Sequence, residues 1–265
     1  MEKKFGFSAT HVDLPPTKVK FGFTLAEGAT HVDTLQAKDK FGFTLAEVLI
    51  TLGIIGAVAA LTIPGLINNY KAGRLKSQFL KSYSTIQQVF KRMQDDEISV
   101  DPSSYSDGQS FYKEFVKYLQ GATLCKHGQS LCYYSYQSQG QVYKGINFER
   151  LDDGQIYLAD GSLLMFENQK NSSLVWVTVD LNGIKNPPNI EGYDTFTFQL
   201  INGELHTMGD TGTSYVGEQY CDIDTILKIR KQNSNANAAP YGLSCAHSAK
   251  VDADYFKKVV RKYKY

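Results

Sequence analysis

A 21-residue apolar run from Phe43 to Ile63 lies near the N-terminus, and Glu47 is the only charged residue within it. As an α-helix this run would be about 30 Å long, close to the thickness of the hydrocarbon core of a bilayer. Basic residues flank the run on both sides, at Lys38, Lys40, Lys71, Arg74 and Lys76. We therefore expect a membrane-spanning helix here, with the rest of the chain folded beyond it.

The helix is expected to continue past the run in amphipathic form. Pro64 removes one backbone hydrogen bond and crowds the preceding turn, so a kink is predicted there. Beyond it, apolar residues recur every three or four positions, at Phe79, Tyr83, Ile86, Phe90 and Met93. Charges and a proline accumulate in Asp95–Pro102, which predicts the end of the helix.

The first 42 residues contain a repeated sequence. KFGFTLAE occurs at Lys20–Glu27 and again at Lys40–Glu47, ATHVD also occurs twice, and a partial copy lies at Lys4–Phe7. The repeat is too short and too polar for a solenoid. We interpret it as a duplicated leader that arose in the coding DNA, with a functional tandem signal as the alternative. Only the copy that ends at Glu47 leads into the apolar run.

The remainder of the chain predicts an antiparallel sheet. A short helix fits Phe111–Leu119 and is closed by Gly121. Asp-Gly and Asn-Gly pairs, among them Asn182-Gly183 and Asn202-Gly203, are hairpin signals, and residues 231–240 indicate a surface loop. The strand candidates that these pairs separate are Gln155–Ala159, Leu163–Phe166, Leu174–Leu181, Phe196–Ile201 and Glu204–Met208. The predicted fold class is α+β, with a long N-terminal helix packed on the sheet.

Composition and motifs limit the classes of function. Apolar residues make up 42% of the chain, as in globular proteins, and a formal net charge of +1 gives no general attraction to nucleic acid or to an anionic membrane. The sequence contains no serine-hydrolase, zinc-protease, phosphate-loop or dinucleotide-binding motif. We therefore expect no enzyme activity.

The segment GFTLAE at residues 42–47, followed by the apolar run, resembles the cleavage and methylation motif of type IV prepilins and type II secretion pseudopilins. A basic leader ends at Gly42, the aromatic Phe43 follows, and the acidic Glu47 takes the fifth position after the cut. The resemblance implies cleavage by a prepilin peptidase between Gly42 and Phe43, and N-methylation of Phe43. A weaker resemblance, to the sheet region of small pseudopilin-like proteins, covers Asp180–Phe198.

The resemblance also implies an organisation and a location. Residues 1–42 would be the leader, residues 43–97 the N-terminal pilin helix with its membrane span at 43–63, and residues 98–265 an extracytoplasmic α+β head. The chain would be a structural subunit of a pilus or of a secretion pseudopilus, held in the bacterial inner membrane by a single span before assembly into a filament. Its partners would be other pilin or pseudopilin subunits, the prepilin peptidase and the assembly platform.

An ordinary secretory signal peptide is the alternative for the same segment. Val48–Ala57 would be its apolar core, and Ala57-Val58-Ala59 would be its cut site. The product would then be a secreted or membrane-tethered binding module. Glu47 at the start of the apolar core argues against this alternative.

Glu47 is an ionisable residue inside an apolar run, which is costly in lipid and points to a function. The resemblance implies its partner, the new α-amine of Phe43 on a neighbouring subunit, and such a pair would set the axial register of a filament. A charge that snorkels to the interface is the alternative. Gly53 and Gly56, which match the family's N-terminal helix as Pro64 does, would allow close helix packing or are merely tolerated small residues.

Four cysteines, Cys125, Cys132, Cys221 and Cys245, allow three pairings. In an exported head we expect disulfides, and pairing between the cysteines that are nearest in the sequence gives Cys125–Cys132 and Cys221–Cys245. A zinc site that includes His127 and free buried thiols are the alternatives.

Two further segments have competing interpretations. Asp180, Asn182 and Asp194 could supply oxygen ligands to calcium, a metal that some pseudopilins hold in this region, but Asn182-Gly183 is equally a plain turn, which is favoured.

The basic and aromatic stretch Phe256–Tyr265 suits contact with nucleic acid or with lipid headgroups, while a solvated end is the simpler interpretation.

Overall fold

The computed structural model describes residues 42–105, 110–125, 132, 143, 146, 150–168, 174–231 and 241–263. The chain divides into two units, Met1–Thr51 and Leu52–Tyr265. The repeated leader, nearly all of the loop predicted at 231–240, and His127 lie outside the described residues.

A helix of 51 residues, α1 (Leu45–Asp95), is the first element. It continues through Pro64, where the predicted kink stays a prediction. Its end near Asp95 is confirmed: Glu97 adopts a left-handed φ of 57°, and the N–H of Ile98 donates to the carbonyl of Met93 at 2.8 Å. This pattern is a Schellman ending, which satisfies the last helical carbonyls. From Ala72 onward the helix buries one stripe, namely Ala72, Leu75, Phe79, Ser82, Ile86, Val89, Phe90 and Met93.

The head contains a six-stranded antiparallel sheet whose spatial order follows the chain. Its strands are β1 (Thr123–Leu124), β2 (Gly154–Tyr157), β3 (Leu163–Asn168), β4 (Val175–Asp180), β5 (Thr195–Ile201) and β6 (Glu204–Thr207). The five strands predicted from sequence are confirmed, with ends shifted by a few residues. Strand β1 was not predicted, because two residues are too few to show a period-2 pattern.

The predicted hairpin signals behave in two ways. Asn202-Gly203 is the two-residue turn between β5 and β6, and both residues have positive φ, 52° and 82°, as a type I′ turn requires. Asn182-Gly183 instead opens the long loop 181–194, which joins the antiparallel strands β4 and β5. This loop is held from within by buried polar side chains, described below.

Short helices complete the head. The predicted helix near Phe111 is α2 (Ser110–Phe115), which a 3₁₀ turn (Val116–Tyr118) extends before Gly121 with its φ of 66°. Three C-terminal helices were not predicted: α3 (Ile223–Lys231), α4 (Cys245–Val251) and α5 (Tyr255–Lys262). They are too short for their apolar spacing to stand out in the sequence.

The C-terminal segment is not a solvated end, so that interpretation is wrong. Helix α5 buries its apolar side, listed as Tyr255, Phe256, Val259 and Val260, and Tyr263 just beyond it is also buried. The buried rings of Phe256 and Tyr263 cannot stack on bases, so these two residues do not support the nucleic-acid interpretation. Three of the lysines in this segment pair with carboxylates at 2.6–2.9 Å, namely Lys257 with Asp254, Lys258 with Asp252, and Lys262 with Asp224.

One face of the sheet packs against α1 and α5 around Phe79. The ring centroid of Phe79 lies 4.9 Å from that of Phe196 and 5.8 Å from those of Phe198 and Phe256. Phe79 is fully buried, so its truncation to alanine would cost about 3–5 kcal/mol of stability. The second half of α1 is therefore a wall of the head's core.

The opposite face of the sheet is also buried. Along β3, Leu164 and Phe166 belong to the core that contains α1, whereas Leu163 and Met165 belong to a second cluster with Trp176. This alternation follows from the period of two residues in a strand. Both faces of β3 and β4 are consequently covered, and these strands have no solvated face.

Candidate processing and assembly site

The predicted cut site lies at the start of α1. Residues 42–44 precede the helix without regular structure, and the side chain of Phe43 is 87% exposed. An exposed, non-helical segment is the form in which a peptidase can bind a backbone, because helical backbone is already hydrogen-bonded to itself. The geometry therefore permits cleavage between Gly42 and Phe43.

Thr44 and Glu47 form a reciprocal cap at the N-terminus of α1. The N–H of Glu47 donates to Oγ1 of Thr44 at 3.2 Å, and Oε2 of Glu47 accepts from the N–H and the hydroxyl of Thr44, each at 2.8 Å. This is a capping box, which satisfies backbone donors that a helix end otherwise leaves unpaired. The role of Thr44 was not predicted, although the spacing T-x-x-E is a known sequence signal for such a cap.

The apolar part of α1 is exposed along its length. The helix is long and apolar enough to cross a membrane, and its most apolar 18-residue window has no buried residue. Leu61 is 84% exposed, and Ile55 and Ile63 are also exposed. Exposed apolar surface of this extent requires another apolar environment, which lipid or neighbouring helices can supply.

Gly53 and Gly56 lie one turn apart in this exposed part. A Cβ atom added at either position would meet no heavy atom within 4 Å among the described residues. Packing against the described residues therefore gives no reason for glycine at these positions, where a glycine weakens a helix by about 1 kcal/mol relative to alanine. Close approach by a second helix is the remaining structural reason, and it stays a prediction.

Two disulfides join the four cysteines in the pairing that the sequence favoured. The bonds are Cys125–Cys132 and Cys221–Cys245, with Cα–Cα distances of 5.7 Å and 4.7 Å. The described residues contain no free cysteine. The alternatives of free thiols and of a zinc site made by these cysteines are therefore wrong. Oxidised cysteines are typical of proteins exported from the cytosol.

Asp180 and Asp194 hold the ends of the loop between β4 and β5. Asp180 accepts hydrogen bonds from the N–H groups of Asn182 and Gly183 and from the hydroxyl of Tyr143, at 2.8–3.1 Å. Asp194 accepts from two loop N–H groups, at 2.7 Å and 3.1 Å. Burial raises the pKa of Asp180 to about 6, and burial together with the nearby charge of Asp180 raises the pKa of Asp194.

These contacts bear on the predicted calcium ligands. All four carboxylate oxygens of Asp180 and Asp194 already accept hydrogen bonds, which is the arrangement of a clamped turn. Within the described residues no group of three Asp, Glu, His or Cys side chains is arranged to hold a metal ion. Buried Oδ1 of Asn182 has no hydrogen-bond partner there, and a cation would satisfy it, so calcium stays a prediction.

Glu191 is a buried acid that the sequence did not point to. Its Oε1 accepts from the hydroxyl of Thr197 at 2.8 Å, and that hydroxyl lies 2.9 Å from the hydroxyl of Thr178. Burial, together with the charge of Asp194, raises the pKa of Glu191 to about 8. No motif or spacing in the sequence distinguishes Glu191 from a solvated loop residue.

Comparison with known proteins supports the interpretation of the N-terminus. Residues 37–63 match the family model described as the prokaryotic N-terminal methylation motif. The match spans Gly42, Phe43, Glu47 and the apolar run to Ile63. No curated protein and no solved structure matches the chain. The chain therefore has a prokaryotic N-terminal methylation motif at the start of a long apolar helix, and this helix with the antiparallel sheet that follows is consistent with a type IV pilin-like protein.

Proposed function

We propose that this chain is a structural subunit of a filament of the type IV pilus or type II secretion class. In this proposal a prepilin peptidase removes residues 1–42, Phe43 becomes the methylated N-terminus, and α1 holds the subunit in the inner membrane until it joins the filament. Residues 43–97 are the anchor and filament core, and residues 98–265 are the extracytoplasmic head. The head has a structural role and carries out no reaction.

The exposed apolar half of α1 is the observation that carries this proposal. The apolar half of α1 begins within the matched motif. The new N-terminus that cleavage would create is therefore also the start of the apolar helix. Lipid tails and neighbouring helices are equally apolar, and the same surface can therefore pass from a bilayer into a bundle of helices without exposure to water. A soluble binding module would have no use for this surface.

The capping box supports a specific role for Glu47. While the subunit is in the membrane, Thr44 supplies hydrogen bonds to the carboxylate and lowers the cost of keeping it near lipid. Cleavage creates a positive α-amine on Phe43, one residue before the cap. In a filament, the amine of one subunit and Glu47 of the next would neutralise each other and define the axial step between subunits.

The proposal is tested by sequencing the mature N-terminus by mass spectrometry, with the cognate peptidase present. The expected product begins at N-methylated Phe43 and is found in sheared filaments. Gly42→Val should leave the uncut precursor in the membrane. Gly22→Val is the matched control, because Gly22 has the same KFGF context but no apolar run after it, and it should be processed normally. A mature N-terminus near Ala60 would instead show an ordinary signal peptide and overturn the proposal.

A further inference from the structure

The first cation after the apolar run is Lys71, which a membrane-spanning α1 would place at the depth of lipid headgroups. The 23 residues from Val48 to Tyr70 carry no charge, and exposed apolar side chains continue past Pro64 to Ile67. If the charge of Glu47 lies at the boundary of the hydrocarbon core, then Val48–Ile67 fills the core in place of the 43–63 span predicted from sequence. Lys71 then lies about 6 Å and Arg74 about 10 Å further along the helix axis. The headgroup layer on each side of the core is about 5–8 Å thick, within reach of both side chains.

A groove of about 330 Å³ lies beside these two cations. Tyr70, Lys71 and Arg74 line it from α1, and Pro188 and Tyr193 line it from the loop between β4 and β5. Among the described residues, no carboxylate lines the groove. It is therefore a cationic site with aromatic and apolar walls, placed where the span meets the head.

The groove has the donors that a phosphate needs. Arg74 is exposed and has no ion-pair partner among the described residues, so its guanidinium fork is free to bind two oxygens. Lys71 lies three positions earlier on the same face and adds a second positive charge. The exposed Tyr70 suits the interfacial layer, where tyrosine is enriched.

The apolar side of the groove continues toward the membrane. Ile67 also lines the groove, and it precedes Lys71 by four positions and Arg74 by seven, so the three side chains form one stripe along α1. A molecule with a phosphate and an attached hydrocarbon chain matches this stripe: the phosphate at the cations and the chain along Ile67. A free phosphate ion would use only the polar end.

We propose that this groove binds the phosphate of an anionic phospholipid and thereby fixes the depth and rotation of the span. The site is separate from the cut site and from Glu47, since its two cations lie about seven turns further along α1 than Glu47, at about 3.6 residues per turn. It requires only that α1 is in a membrane, and so it goes beyond the proposed filament function and does not depend on cleavage or assembly.

The test uses native mass spectrometry of the full-length protein released from a neutral detergent. Phosphatidylglycerol and phosphatidylcholine with the same acyl chains are offered in equal amounts. We expect phosphatidylglycerol to be retained at least about fivefold more, and Arg74→Gln to reduce that retention about fivefold. Arg74→Lys should restore part of it. Because Arg74 is exposed, these variants should keep the wild-type melting temperature.

Lys76→Gln is the charge-matched control. Lys76 lies two positions after Arg74, about 200° around the helix, and does not line the groove. Equal retention of the two lipids, or an equal loss with Lys76→Gln, would show general charge attraction and overturn the proposal. Displacement of the lipid by millimolar inorganic phosphate would reassign the groove to a free anion. If Arg74→Gln leaves lipid retention unchanged but depletes sheared filaments, the groove is a subunit contact and the lipid assignment is wrong.

Discussion

The carboxylate of Glu47 is bound by Thr44 of its own chain, through two hydrogen bonds of 2.8 Å from the backbone N–H and the hydroxyl. This contact shows that the acidic residue of the motif has a local structural role before any partner subunit arrives. A role in capping and a role in pairing between subunits make different demands on the side chain. Only the pairing needs a negative charge, because a neutral amide oxygen can also accept from the cap.

Glu47→Gln separates the two roles. It keeps an acceptor for the N–H of Thr44 and removes the charge, so we expect normal cleavage and membrane insertion but at least about tenfold less of the subunit in sheared filaments. The reason is that the α-amine of Phe43 would be buried without its counter-ion, which costs several kcal/mol. Glu47→Val should reduce incorporation into filaments equally, and Glu47→Asp should reduce it less. The measured quantity is the ratio of filament to membrane pools.

Thr44→Val is the control for this experiment. It removes the cap, worth about 1 kcal/mol at a helix N-terminus, and leaves the charge of Glu47 in place. Assembly should therefore fall much less than with Glu47→Gln. If Glu47→Gln assembles like the wild type while Thr44→Val does not, the cap is the essential feature and the pairing mechanism is wrong.

The repeated leader should be dispensable. Gly22-Phe23 has the same flanking residues as Gly42-Phe43, but Gly28 and polar residues follow it where the true site has an apolar run. A peptidase that acts at the membrane should cut only the second site. Deletion of residues 1–36 should leave the mature N-terminus at Phe43 and the filament yield unchanged. A new N-terminus, or loss of export, would show that the tandem copies have a function.

The disulfides should contribute unequally to stability. Loop-closure entropy predicts a loss of about 3.5 kcal/mol for removal of Cys221–Cys245, whose cysteines are 24 positions apart, and about 2.5 kcal/mol for Cys125–Cys132, separated by 7. Paired alanine variants and denaturant unfolding measure both values. Thiol titration of the unreduced, denatured wild type should detect no free thiol, and four free thiols would contradict export.

The head should become more stable as the pH falls from about 8 to 5. Burial raises the folded-state pKa of Glu191 to about 8 and that of Asp180 to about 6. The folded state then binds more protons than the unfolded state in this window, so the free energy of unfolding decreases as the pH rises through these values. Glu191→Gln should flatten the dependence of melting temperature on pH and raise stability at pH 8. A melting temperature that rises with pH across this window would contradict the burial of an uncompensated acid.

The sequence predicted the elements that have long periodic signals. The span, the stripe from Phe79 to Met93 and the five longer strands all repeat over enough residues for periodicity to separate helix from strand. The pairing of the cysteines was also predicted, since short loops close most easily.

The features that were not predicted from the sequence also have specific causes. Helix α5 is only eight residues long, and its lysines made the segment resemble a solvated end, although the apolar residues between them recur at helical spacing. Asn182-Gly183 is a strong hairpin signal, yet buried Asp180 and Asp194 clamp a longer loop at that point, and this contact between distant residues has no local signal. Glu191 was missed for the same reason, since burial of a loop acid is decided by tertiary packing.

The continuity of α1 determines how the subunit can bear a pulling force. The same helix that presents the exposed anchor also inserts Phe79, Ile86, Phe90 and Met93 between the sheet and the short helices. Tension applied to the head therefore acts along the axis of a helix whose buried stripe is a wall of the core, in a shearing direction that loads many side chains at once. Peeling, which would break contacts one by one, would need a force perpendicular to the helix axis. Rupture would require extraction of the whole buried stripe, so a filament of such subunits should fail between subunits before any head separates from its anchor.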